Sequence, residues 1–200
     1  MLVRLIMMLA LCCALPAAAM AKIKAPAPAA EAPATQTAFD FTFFDIDGNE
    51  MPLKNFSGKV LLIVNTATGC GFAGQFKDLQ KLADTYGEQG LVVIGVPSND
   101  FGGQEPLDGA DIKKTVAGDY GATFTLTQKS AVSGAAAHPF YTWAAQQNAG
   151  GILSSKPRWN FHKYLIGRDG KVAASVAATT NPSDKDFIQS IETALAQKTE

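Results

Sequence analysis

Two short, almost wholly apolar runs flank a segment of helical spacing, and this pattern restricts the fold more than any other feature. Lys59 to Ala67 reads KVLLIVNTA, and Leu91 to Val96 reads LVVIGV. Apolar runs of this length without polar alternation are strands buried on both faces. Between them Phe76, Leu79, Leu82, Ala83 and Tyr86 recur at helical spacing, and Gly87 and Gly90 close the segment. Strand, helix and strand in that order predict a right-handed parallel crossover.

The remaining elements fit around this unit. Phe39, Phe41 and Phe43 alternate, Asp47-Gly48 is a turn signal, and Met51 and Leu53 alternate on the return, so an N-terminal β-hairpin is expected. Short helices are expected over Asp108–Val116 and Ala137–Gln147, the second with Trp143 on its inner face. Phe161–Ile166 and Lys171–Val176 flank Gly167-Arg168-Asp169-Gly170 and read as a hairpin. Ser183–Gln197 carries Phe187, Ile191 and Leu195 at i, i+4 and i+8, with Ser183 as the expected N-cap. The whole is an α/β fold with a mixed central sheet and helices on both faces. It is similar to the thioredoxin arrangement, in which the turn after the first parallel strand carries the chemistry.

The chain of 200 residues divides into three segments. Arg4, the apolar run Leu5–Leu15 and the small-residue stretch ending Ala19-Met20-Ala21 read as a secretory signal peptide over 1–21. The run is too short to span a membrane comfortably, so no stable insertion is expected after cleavage, and the expected destination is the bacterial periplasm. Residues 22–38 are an Ala/Pro-rich tether, and 39–200 form one domain. The 17 basic and 18 acidic residues leave no basic field, which disfavours nucleic acid as a partner. Cleavage removes Cys12 and Cys13, so the mature protein would hold Cys70 alone and no internal disulfide. His138 and His162 have no carboxylate or cysteine at metal-ligand spacing, and no metal is expected. His162 is expected at the surface or beside the site, and His138 at a helix start.

Cys70 lies in Thr66-Ala67-Thr68-Gly69-Cys70-Gly71-Phe72, between the first buried strand and its helix. A lone cysteine is ordinarily a small buried hydrophobe. Here two glycines permit a sharp turn that leaves the sulfur accessible. The position at a helix N-terminus offers unpaired N–H groups and a dipole that favour the nucleophilic thiolate. Two further segments contain polar donors: Ser98-Asn99-Asp100-Phe101-Gly102-Gly103-Gln104-Glu105-Pro106 after the second strand, and Pro157-Arg158-Trp159-Asn160-Phe161 before the hairpin. Gln104 alone is compatible with a surface loop, and Trp159 alone with a core position.

Taken together, KVLLIVNTATGCG, SNDFGGQEP, AHPFY and WNFHKYLIGRDGKV resemble the glutathione peroxidase family in its cysteine form, over roughly residues 39–197. The resemblance implies a thiol-dependent peroxidase centre of Cys70, Gln104, Trp159 and Asn160. Cys70 thiolate would attack a hydroperoxide and become a sulfenic acid. Neutral donors from the other three would hold the developing charge. No bound cofactor is implied; an external thiol, glutathione or a thioredoxin-like reductant, is the co-substrate. Alternatives are a redox sensor or a thioredoxin-fold relay without peroxidase turnover.

The chain departs from the family in one respect that bears on mechanism. Many cysteine-type members carry a resolving cysteine in the helix after FGGQEP, where this chain reads Ile112-Lys113-Lys114-Thr115-Val116-Ala117, and another frequent cysteine position is Ser98. A sulfenic acid at Cys70 would therefore meet an external thiol or risk over-oxidation. Lys77, Lys156 and Arg158 are candidates for holding an anionic thiol only through their nearness to the motifs. The short stretch Asn148–Pro157 favours a monomer, because a longer insertion there goes with tetramers in the family. Phe72 and Phe101 point to tolerance of lipid or organic hydroperoxides.

Overall fold

The structure, a computed structural model, describes residues 36–149, 152–153 and 155–198. The expected signal segment and the tether up to residue 35 lie outside the described residues. Packing contacts of the domain already involve the residue before Phe39. Ala38 is fully buried, donates its N–H to Gly170 O at 2.8 Å, and opens a 3-10 turn over Ala38–Asp40.

The N-terminal hairpin consists of β1 (Thr42–Phe44) and β2 (Glu50–Pro52), with Phe43 opposite Met51. It is shorter than the aromatic alternation predicted, because Phe39 falls in the 3-10 turn. Asp45 organises the connection: its Oδ1 accepts from the N–H groups of Asp47 (3.0 Å) and Asn49 (2.8 Å). Gly48 supplies the positive φ of +94 that the turn needs.

The main sheet contains β3 (Val60–Thr66), β4 (Leu91–Pro97), β5 (Thr125–Leu126), β8 (Lys163–Ile166) and β9 (Val172–Val176), in the order β5-β4-β3-β8-β9. The predicted crossover is present: β3 and β4 pair in parallel from Val60↔Leu91 to Thr66↔Pro97, joined by α1 (Gln75–Tyr86). Strand β5 extends the parallel half, and β8 and β9 add the antiparallel half. A two-stranded ribbon, β6 (Asn148–Ala149) with β7 (Ile152–Leu153), precedes β8.

All seven residues of β3 are buried, and their alternation feeds two cores. Val60, Leu62 and Val64 pack with Phe76 and Leu79 of α1, with Ile112 and Val116 of α2 (Gly109–Tyr120), and with Phe187 and Ile191 of α4 (Lys185–Ala196). Leu61 and Ile63 pack on the opposite face with Phe43 and with Phe140 and Trp143 of α3 (Pro139–Ala144). The mixed sheet with helices on both faces is thus realised in a thioredoxin-like arrangement. Among the described residues no helix is long and apolar enough to cross a membrane.

Local polar groups set the element ends. His138 caps α3: its Nδ1 accepts from Phe140 N at 3.3 Å, its Nε2 donates to Thr42 O at 2.9 Å, and its ring stacks on Phe43 at 4.0 Å. Arg168, in the β8–β9 turn, donates to the carbonyls of Gly58 (2.7 Å), Gln89 (3.0 Å) and Leu195 (3.0 Å). It thereby ties together the sheet end remote from Cys70. The N-cap of α4 is Asp184 rather than Ser183. Asp184 Oδ1 accepts from Asp186 N and Phe187 N at 3.0 and 3.2 Å, whereas Ser183 Oγ is used in the preceding turn on Asn181 Oδ1 at 2.7 Å. Asp184→Ala is expected to cost about 1 kcal/mol, measured as a lower urea midpoint at unchanged m-value; Ser183→Ala should cost a fraction of that.

Candidate active site

The site forms where β3 and β4 end, from three loops that hydrogen-bond to one another. After β3, Cys70 N donates to Ala67 O at 3.3 Å and Ala73 N to Cys70 O at 2.9 Å, so residues 67–73 form consecutive turns. Helix α1 begins only at Gln75. The expected position of the sulfur at the helix N-terminus is therefore corrected. The donor that reaches Sγ is the turn N–H of Phe72, at 3.4 Å. The expected accessibility is corrected too. Cys70 is 6% exposed and packs within the core cluster on the α1 face, so only a small part of it meets solvent.

The loop after β4 is joined to this turn by main chain and side chain. Gly69 N donates to Gln104 O at 2.9 Å, and a Cβ at Gly69 would lie 3.0 Å from that oxygen, so a side chain there would crowd the contact. Glu105 is fully buried and accepts from Thr68 N (2.9 Å) and Thr68 Oγ1 (2.7 Å). Its own N–H donates to Asn99 Oδ1 at 2.9 Å. The loop turns through Gly102 and Gly103, with φ of +69 and +63, conformations that disfavour side chains. A Cβ at Gly102 would lie 3.5 Å from both Trp159 Cη2 and Gln104 Cγ. Gln104 and the indole therefore meet at this glycine.

The third loop delivers Trp159 and Asn160. Asn160 is fully buried and its Nδ2 donates to Gln104 Oε1 at 2.9 Å and to Phe101 O at 3.3 Å. With Gln104 Oε1 occupied as acceptor, the Gln104 amide is oriented and its Nε2 hydrogens stay available as donors. Trp159 is 39% exposed, leans on Phe101 with ring centroids 6.1 Å apart, and is anchored through its carbonyl by Asn65 Nδ2 at 3.1 Å. Gln104 is thus joined to the Cys70 turn through its carbonyl, with Asn160 in direct contact with its side chain and Trp159 meeting it at Gly102.

Other expectations fare differently. His162 is not a surface residue: it is 3% exposed, and its Nε2 lies 3.2 Å from Ser175 Oγ. Burial, with a smaller contribution from the neighbouring Lys163 charge, lowers its pKa to about 4. Lys77, Lys156 and Arg158 are exposed; the last two line a cavity of about 220 Å³ with Trp159 and His162. In the segment Ile112–Ala117, where many members carry a resolving cysteine, Ile112 and Val116 are core residues of α2, and Ser98 is fully buried. Among the described residues Cys70 is the free cysteine, and no group of His, Cys, Asp and Glu could hold a metal ion. Sequence reasoning missed Asn65, Glu105 and Lys163, all fully buried. The available signals were a lone amide in an apolar run and ionisable residues inside two quoted motifs.

A thioredoxin-like domain with one cysteine in the turn after its first parallel strand, flanked by oriented amides and an indole, defines the class of thiol-dependent peroxidases. The comparisons agree and narrow the class. The glutathione peroxidase family profile matches residues 38–145. A glutathione peroxidase homolog, BsaA, of Bacillus subtilis is 41% identical over 150 residues, covering 74% of this chain and 93% of that protein. The hydroperoxy fatty acid reductase gpx1 of a Synechocystis strain is 39% identical over 144 residues, covering 70% and 85%. The crystal structure of Trgpx in apo form superposes with a TM-score of 0.65 at 35% identity, over 82% of this chain and 99% of that one. The chain belongs to the glutathione peroxidase family and is a peroxidase that takes a hydroperoxide and a thiol reductant.

The buried His162 has a consequence for stability. In the folded chain it takes up a proton only near pH 4, against 6.5 for an ordinary histidine. Between those values the unfolded chain holds more protons, so stability falls as pH falls through that window, by up to about 3 kcal/mol at its lower end. His162→Gln is expected to flatten this acid arm in urea unfolding followed across pH; an unaltered arm would contradict it.

Proposed function

We propose that the enzyme reduces hydrogen peroxide and organic hydroperoxides through a sulfenic acid on Cys70, with Gln104 and Trp159 as the donors to the reacting atoms and Asn160, whose two amide hydrogens are taken by Gln104 Oε1 and Phe101 O, orienting Gln104. The observation that carries this proposal is the 2.9 Å bond from Asn160 Nδ2 to Gln104 Oε1, which occupies the acceptor end of the Gln104 amide and leaves its Nε2 hydrogens available as donors, on a residue whose carbonyl is bonded to Gly69 of the Cys70 turn.

The steps follow from that arrangement. Cys70 thiolate attacks the nearer peroxide oxygen; the S–O bond forms as the O–O bond breaks, and the departing oxygen takes a proton from water and leaves as water or an alcohol. Charge shifts from sulfur to that oxygen. Neutral amide and indole donors can follow it, and each is typically worth about 3 kcal/mol in the transition state. One external thiol then displaces water from the sulfenic acid to give a mixed disulfide. A second thiol releases the Cys70 thiol and leaves with the first as a disulfide.

Several features support the finer parts of the proposal. The segment Ile112–Ala117, where many members carry a resolving cysteine, holds none, which favours an external thiol such as glutathione or a thioredoxin-like protein. Phe101 and the exposed face of Trp159 offer apolar surface to an organic hydroperoxide, and the Synechocystis relative is named for reducing hydroperoxy fatty acids. The N-terminal signal pattern supports export to the periplasm, where a monomer would act in defence against oxidants.

The test is rapid mixing of reduced mature protein with hydrogen peroxide. Cys70→Ser is expected to abolish peroxide consumption, and Gln104→Ala to slow it about a hundredfold. A wild-type rate in Gln104→Ala would remove Gln104 from the mechanism. Steady-state turnover with glutathione against thioredoxin identifies the reductant.

A further inference from the structure

The segment bearing Trp159 and Asn160 enters β8 through a conformation that side chains rarely adopt. Phe161 has φ +67 and is the one non-glycine residue with positive φ among the described residues. Such a conformation is strained and persists where its surroundings over-determine it. The Phe161 ring is fully buried, edge-on to Phe76 at a centroid distance of 5.2 Å. Its N–H donates to Asn65 O at 2.6 Å. Its carbonyl accepts from Lys163 Nζ at 2.7 Å, and the same Nζ donates to Thr180 O at 2.9 Å.

Lys163 is fully buried and is held by those two carbonyls. A buried ammonium is costly when no carboxylate faces it. A mere spacer between strands would not require one, because a leucine or methionine would fill the same volume. The cost is concentrated at the residue that grips the turn immediately after Asn160.

We propose that Lys163 is a positioning residue for peroxide reduction: by holding the Phe161 and Thr180 carbonyls together it fixes the left-handed turn that presents Asn160 to Gln104. It acts through Asn160 and touches no substrate. The inference rests on the donor role proposed for Gln104 and on Asn160 as the residue that orients it.

Its grip is tuned by protonation. Burial lowers the Lys163 pKa from 10.5 to about 7. Below that value the ammonium makes charge-assisted bonds to both carbonyls; above it the neutral amine makes weaker ones. The grip therefore loosens as pH rises through about 7. Its pairing partners across the sheet, Val64 on β3 and Val176 on β9, carry no charge. The loop after β9 presents the Thr180 carbonyl. Within β8 the adjacent titratable group is His162, whose pKa near 4 keeps it neutral through this range.

The experiment reads geometry and rate separately. In Cys70→Ser protein, which removes the thiol's own titration, the side-chain amide resonances of Asn160 are followed by NMR between about pH 5.5 and 8.5. They are expected to shift with one ionisation near 7, and that step is expected to vanish when Lys163→Met is added. With Cys70 present, Lys163→Met is expected to slow reaction with hydrogen peroxide about tenfold or more. Asn160 resonances that show no ionisation near 7, or a wild-type peroxide rate in folded Lys163→Met, would overturn the proposal. The titration is read on intact Lys163, so it decides the matter even if Lys163→Met does not fold. A slowed Gln104→Ala beside an unaltered Lys163→Met sinks this inference alone; an unaltered Gln104→Ala sinks the donor roles beneath it.

Discussion

Asn65 is the point through which the site is held to the sheet. It interrupts the apolar β3, where all seven residues are buried. Its main chain bonds Phe161 N at 2.6 Å and His162 O at 3.3 Å, and its side-chain amide bonds the Trp159 carbonyl at 3.1 Å. Burying an amide costs free energy unless it is bonded. Here the bonds span nearly a hundred residues of sequence and join the strand that leads to Cys70 with the loop that carries Trp159 and Asn160. An apolar residue at 65 would keep the strand and lose the side-chain anchor of that loop.

The other two loops are joined by the same economy of means. Glu105 satisfies both donors of Thr68, and the Gln104 carbonyl accepts from Gly69. Residues 68 and 69 are therefore bound to 104 and 105 before any catalytic side chain is considered. The consequence is preorganisation: the groups around Cys70 need little rearrangement when charge moves. A nearly buried sulfur also limits what can approach it. Beside the Gln104 loop the exposed indole of Trp159 leans on the half-buried Phe101.

Much of this was legible in the sequence, for reasons that differ by feature. The parallel β3–α1–β4 unit was readable because burial on both faces leaves apolar runs of strand length, too short for a helix, on either side of a segment with helical spacing. The Gly-rich turn of Gln104 was readable because positive φ at Gly102 and Gly103 demands glycine. The start of α1 was not, because residues 70–74 use turn bonds before the helix begins, and composition does not distinguish these from a first helical turn. Burial of His162 and Lys163 was not readable either. Strand alternation assigns a face, but it does not reveal that β8 lies between β3 and β9 with both faces covered. The N-cap at Asp184 turned on a competition between adjacent Ser and Asp that local chemistry alone leaves balanced.

The hydrogen bond that reaches Cys70 Sγ comes from a neutral group, the Phe72 N–H, and the charge of a donor bears on how such a site gains rate. A lysine or arginine against the sulfur would stabilise the thiolate in the ground state nearly as much as in the transition state, and interactions equal in both do not lower the barrier. The Gln104 amide and the Trp159 indole carry no net charge, so in the proposed reaction they would favour charge on the departing oxygen without holding it strongly on sulfur. Positional accuracy then becomes the main lever on rate, which is why the contacts that fix Asn160 and Gln104 matter as much as the donors themselves.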